Sequence, residues 1–235
     1  MKRAALVALS LIAGFSPGSA RAQAGALDSI FSACVAGDTA TAWQKVMQPW
    51  ALDTGGWTND SLRRRLIALG RADQAVRDAP DIGDSVRDPA FVRRMNQADS
   101  INAHALLDIV ARYGWPTRRL VGVAGGQAAF LIAQHNPSIQ HQMLRLMEAA
   151  PPGQVQPTDV AMLEDRVRVA EGKPQRYGTQ ISMAGTGPAH FDSIEDLPHL
   201  GLRRAQAGLP PIGVYMCMMR GYSGREILDP YGRSP

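Results

Sequence analysis

The run VGVAGGQAAFLIAQ, residues 121–134, constrains the fold more than any other stretch of this chain. A helix that is apolar on every side is stable only when other elements surround it. The glycines and alanines of this run let those neighbours come close. The flanking sequence supplies them as helices. Asn59 or Asp60 caps a helix running to about Ala79, with Leu62, Leu66, Leu69 and Val76 on one side. Pro80 to Asp88 reads as a loop. Asp88-Pro89, a capping side chain followed by a proline at the first helical position, opens a helix to about Arg112 that stops at Gly114-Trp115-Pro116. Further helices are expected over Leu27–Gln48 (one or two), Pro137–Ala149 and Thr158–Ala170.

The pattern then changes. Gln175–Met183 (QRYGTQISM) is rich in β-branched and aromatic residues and reads as a strand, with a turn at Gly185-Thr186-Gly187 and a partner near His190–Ser193. Ser193–Ala207 is expected to be partly helical. From Gly221 the chain is rich in Gly, Pro and Ser. The expected fold is mainly α: one helical domain over 25–220 of about six to eight helices, with a small β-hairpin near 175–193, and a loose tail over 221–235.

The first two dozen residues carry the marks of a secretory signal peptide. Lys2 and Arg3 precede an apolar run, Ala4–Phe15, and small residues around Ala20, Ala22 and Ala24 fit a signal peptidase. Twelve apolar residues span about 18 Å as a helix, short of a hydrocarbon core of roughly 30 Å. Cleavage after residue 24 would remove three of the 25 basic residues and none of the 21 acidic ones, lowering the net charge from +4 to +1. The basic balance thus belongs largely to the leader. Arg63-Arg64-Arg65, Arg93-Arg94 and Arg203-Arg204 lie among acids, so a nucleic-acid partner is not expected. The expected location is the periplasm or the exterior, with no membrane span after cleavage. In such a compartment Cys34 and Cys217 can pair; as two separate buried thiols they would pack equally well.

No strong catalytic signature is present: no G-x-S-x-G elbow, no H-E-x-x-H, no P-loop and no dinucleotide fingerprint. His135 and His141 are six apart with Pro137 between them, a spacing that supports no metal site. What stands out is polar residues in apolar surroundings. Gln134-His135-Asn136 ends the most buried helix, either as a cap or as the floor of a polar pocket with His135 moving a proton. Asp165-Arg166 sits among Met162, Leu163, Val167 and Val169, either as an ion pair or with the guanidinium free to clamp a carboxylate or phosphate. Gln175, Tyr177, Thr179 and Gln180 around Gly178 form either a ligand rim or a well-bonded hairpin. Asp73-Gln74 with Arg77 has the spacing of a local helix ion pair, interesting only if buried.

Taken in order, these pieces are similar to an uncharacterised bacterial family, domain of unknown function number 6624. The resemblance runs from about 70 to 215, through Asp73-Gln74…Arg77, Asp99…Asn102, Gly114-Trp115-Pro116-Thr117, Gln134-His135, Gln140, Leu163-Glu164-Asp165-Arg166, Gln175-x-Tyr177-Gly178-Thr179-Gln180 and Arg203-Arg204. It implies a bacterial source and no mechanism. Many relatives are expected to carry an acid shortly after the Gln-His pair. Asn136-Pro137 stands here, so if that acid serves relatives as a metal ligand or a base, this chain lacks it.

Two functions follow. In the favoured one, the chain is a non-catalytic envelope protein whose polar cluster, Gln134, Arg166, Gln175, Tyr177 and Gln180, recognises a small polar ligand or another protein. In the alternative, the cluster is the cleft of a hydrolase or lyase that needs no cofactor. There His135 would be the acid or base, and Asp165 would orient it or balance Arg166. No nucleophile is placed by motif.

Overall fold

The computed structural model describes Cys34 and residues 55–77, 88–183 and 187–232. The leader, the helices expected over Leu27–Gln48 and most of the Pro80–Asp88 loop lie outside these residues. The described residues form seven α-helices and a two-stranded antiparallel hairpin, a mainly α fold. The chain divides into two compact units: one holds Trp50–Val160, the other Met1–Pro49 with Ala161–Pro235.

The unit over Trp50–Val160 is built on α1 (Asp60–Ala75), α2 (Pro89–Tyr113), α3 (Arg118–His135) and α4 (Gln140–Glu148). The starts follow the capping signals. Asn59 accepts from the Leu62 N–H at 3.0 Å, and Asp88 from the Ala90 N–H at 2.8 Å. α3 contains the apolar run, with a kink at Gly122, and most of its length is buried. It packs chiefly on α1, with α2 against both. The small residues matter where α1 meets α3: a Cβ added to Gly70 would lie 3.0 Å from Ala128 Cβ, so any larger residue would push the helices apart.

α5 (Pro157–Ala170) leads into the second unit. There β1 (Ile181–Ser182) pairs with β2 (His190–Phe191), Ile181 opposite Phe191. A 3₁₀ turn (Leu197–His199), α6 (Leu200–Gln206) and α7 (Ile212–Ser223) follow. Ile181, Ala189, Leu200, Ile212, Met216, Met219 and Ile227 form its core. Cys217 on α7 is bridged to Cys34, with a Cα–Cα distance of 5.6 Å.

Two expectations change. Only the last part of Gln175–Met183 is a strand. Residues 175–180 form a loop instead: the N–H groups of Arg176, Tyr177 and Thr179 turn toward the Asp165 carboxylate, while Gln175 makes a lone parallel bridge with Ile194. The chain after Gly221 is not loose over its described part. Ile227 is 3% exposed, and its neighbours bond backbone to backbone with Ala189: Ala189 N–H to Glu226 O and Leu228 N–H to Ala189 O, both 2.8 Å. Ile227 and Tyr231 bury apolar surface that the surrounding Gly, Pro and Ser obscure in the sequence. Among the described residues no helix is long and apolar enough to cross a membrane.

Candidate functional site

In the Trp50–Val160 unit, the polar centre forms around Asp73. Asp73 falls on the buried stripe of α1 with Leu62, Leu66 and Gly70 and is fully buried. His135 Nδ1, at the end of α3, lies 2.8 Å from Asp73 Oδ2. Arg77 pairs with Asp73 at 3.0 Å and with Asp99; Gln74 and Asn102 donate to the same carboxylate at 2.9 and 3.4 Å. Burial pushes the Asp73 pKa up, but the His135 hydrogen bond and charge and the Arg77 charge outweigh it, so the carboxyl is held below its usual value. Asp73 is therefore ionised and His135 Nδ1–H donates to it. Gln134 is buried, and its backbone carbonyl accepts from Gln140 at 2.7 Å. Asn136 caps α3, donating to Ile132 O at 2.8 Å.

The same unit holds a cavity of about 20 Å³ beside Trp115, Gly122, Gln127, Gln154, Gln156 and Asp159. That is room for about one water. Burial pushes the Asp159 carboxyl up to about 8, with a Thr158 hydrogen bond pulling the other way. Trp115 and Pro116 of the Gly-Trp-Pro-Thr motif line this cavity; none of the candidate catalytic or ligand-binding residues does.

In the second unit, Asp165 organises the 175–180 loop. Its carboxylate is fully buried and accepts from the N–H groups of Arg176 (2.6 Å), Tyr177 (3.1 Å) and Thr179 (3.0 Å) and from Thr179 Oγ1 (2.9 Å). Gly178, at φ +63°, turns the chain so that these groups face inward. Burial raises the Asp165 pKa, and the four donors work against it. Every bond is one in which Asp165 accepts, the pattern of an ionised carboxylate. Arg204 holds the other side of the loop: its Nη1 donates to Tyr177 O (2.6 Å) and Gly178 O (3.0 Å), and its Nε to Pro210 O (2.8 Å). Its guanidinium lies over the Tyr215 ring, 5.0 Å from the centroid, and Tyr215 donates to Thr179 O at 2.7 Å. Gln175 and Gln180 are absorbed in the loop's own bonds: Gln175 donates to Gln180 O and Asp192 O and accepts from the Gln180 N–H.

The model of a family of unknown function, DUF6624, matches residues 60–227. The chain belongs to that family. No curated protein and no solved structure matches it.

In this DUF6624 member the residues expected to share one cleft fall into two groups. Asp165, Arg166, Gln175, Tyr177 and Gln180 belong to the second unit; His135 and Gln134 belong to the first. The carboxylate against His135 is Asp73, and Asp165 is occupied by the loop. Asp165 does not pair with Arg166 either, because consecutive residues on a helix point in different directions. Arg166 is 6% exposed and, among the described residues, makes no hydrogen bond and no ion pair; its Nη2 is fully buried and unpartnered. Burial lowers its pKa to about 10, with Tyr215 acting weakly the other way. Asp73, Arg77, Asp99 and Asn102 were not singled out as site residues. The signal was available for Asp73, which repeats the spacing of Leu62 and Leu66 along α1. Among the described residues no group of three or more His, Cys, Asp or Glu could hold a metal ion.

Proposed function

We propose that this is an exported protein that binds a small anionic ligand at Arg166 without transforming it. The observation that carries this reading is the state of the Arg166 guanidinium. Removing a cation from water costs several kcal/mol unless a partner offsets it. Arg166 has no such partner among the described residues. An oxyanion is the group that a planar guanidinium receives best. Export is supported by the leader-like segment at residues 1–24; the Cys34–Cys217 bridge is compatible with an extracytoplasmic protein.

The test is thermal unfolding of the protein lacking residues 1–24, with acetate, phosphate and sulfate against chloride at equal ionic strength. A ligand that binds only the folded state at 100 times its Kd adds about 2.7 kcal/mol. The wild type should rise in Tm with at least one oxyanion while Arg166→Met does not. Equal responses from the two proteins would sink the reading.

The second reading, a hydrolase or lyase with His135 as acid or base, draws on one observation: the buried Asp73 carboxylate holds His135 Nδ1 at 2.8 Å, which leaves Nε2 to exchange a proton. It would be favoured by turnover of an ester, amide or glycoside panel that His135→Ala abolishes and Arg166→Met spares.

A further inference from the structure

We infer that the cavity beside Trp115 and Asp159 is a binding site for an uncharged hydroxyl-bearing ligand, a sugar or a polyol, which seats one hydroxyl among the side chains of Gln154, Gln156 and Asp159. The cavity lies wholly within the Trp50–Val160 unit, so the inference is independent of the anion reading of Arg166.

The cavity lies where α3 breaks at Gly122, at φ +71°. Trp115 and Pro116, ahead of that helix, and the turn at 154–156 form other parts of its wall. Its space of about 20 Å³ takes a group the size of water. Trp115 and Val123 on the wall are buried, whereas Gln127, Gln154 and Gln156 are half-buried and form its accessible side.

Two of these amides are held by their oxygens. Gln154 Oε1 accepts from the Arg119 backbone N–H at 2.9 Å, and that donor settles which end of the amide is the oxygen. Gln156 Oε1 accepts from Gln127 Nε2 at 3.4 Å. The Nε2 groups of Gln154 and Gln156 are left without a hydrogen bond among the described residues. Acceptors stand on the same wall: Gln127 Oε1 and Pro116 O receive no hydrogen bond among the described residues. Asp159 makes no ion pair among them. Burial, opposed by a Thr158 hydrogen bond, pushes its carboxyl up to about 8, so near neutral pH it is protonated and both donates and accepts.

This set of donors and acceptors selects the ligand. A primary ammonium brings donors alone and would face the amide N–H groups and Arg118. A carboxylate brings acceptors and a charge, and would be expelled as Asp159 ionises. A hydroxyl donates and accepts, carries no charge and is water-sized.

Calorimetric titration of the protein lacking residues 1–24, near pH 7, tests this with glucose, glycerol, methylammonium and acetate. Glucose, glycerol or both should bind with a Kd on the order of 1 mM, the range for ligands of so few atoms. Comparing the two tells a cyclic sugar from an open polyol. Gly126→Ala assigns the binding to the cavity. A Cβ there would meet only Pro116 O, at 3.5 Å, an ordinary contact on the cavity wall, and alanine suits a helix interior better than glycine. The variant should therefore keep its circular dichroism and Tm while binding the hydroxyl ligand at least about tenfold more weakly. If it unfolds, Gln156→Ala replaces it with the same expected loss. Acetate held at Arg166 would be untouched by either change, which separates a failure here from a failure there. No binding of glucose or glycerol by the wild type would overturn the inference. So would hydroxyl-ligand affinity that survives in the folded variant, or methylammonium or acetate bound as tightly as the hydroxyl ligands and lost in the variant.

Discussion

Replacing Arg166 with methionine should make the unliganded protein more stable. Burial lowers the Arg166 pKa from its ordinary value to about 10. At about 1.36 kcal/mol per unit, this corresponds to roughly 3 kcal/mol held against the charged form. Among the described residues no ion pair returns that energy. Methionine keeps most of the aliphatic stem and removes the charge, and even replacing a buried ion pair with apolar groups is often neutral or gains about 1–4 kcal/mol. The expected gain is therefore about 1–3 kcal/mol, or a Tm rise of roughly 3–9 °C at a few degrees per kcal/mol for a chain of this size. Its pH dependence has a definite sign. A base with a lowered pKa carries its full cost below the folded value and sheds it only as the pH rises from about 10 toward the ordinary guanidinium value. The difference between variant and wild type should thus be flat from about pH 6 to 9. Urea unfolding in a buffer free of oxyanions measures it. A loss of more than about 1 kcal/mol would mean that Arg166 has a structural partner, and the reasoning would fail.

Asp159 should make stability fall as pH rises. Its folded pKa is raised to about 8, so between the unfolded value of 3.8 and about 8 the folded state holds a proton that the unfolded state has released. That part of the stability is fully present below 3.8 and lost by about pH 8; Asp159→Asn should flatten it, as Tm at pH 5.5 and 8.5 would show. Asp73→Asn should cost about 3–5 kcal/mol in urea unfolding, because it strips a buried carboxylate from His135 and Arg77. A cost below about 1 kcal/mol would mean that the network is slack. Cys217→Ser opens a link between residues 183 apart and should cost roughly 2–5 kcal/mol. Unreduced wild type should show no thiol to Ellman's reagent, and a free thiol there would contradict the bridge.

Local signals carried most of the helical fold. Asn59 and Asp88 cap where their side chains and the following residues said they would, and the apolar run at 121–134 became the buried helix that others cover. The 175–180 segment was misread because β-branched and aromatic content measures fit to a half-buried surface, not a ladder. What decides its shape is Asp165, ten residues upstream of Gln175 and facing it only in the fold. The Asp73–His135 pair, 62 residues apart, has the same origin: each partner was visible, their meeting was not. For Asp165-Arg166 the sequence leaves an ion pair and a free guanidinium both open; on a helix the two side chains diverge, and among the described residues the arginine makes no ion pair.

The account turns on what Arg166 does with its buried donor. Crystals of the mature protein soaked in perrhenate, a singly charged tetrahedral oxyanion and a strong anomalous scatterer, would show it directly. The account predicts a rhenium peak with an oxygen about 3 Å from Arg166 Nη2. Arg166 Nη2 donating to a protein carboxylate, with perrhenate bound only at surface arginines, would contradict it.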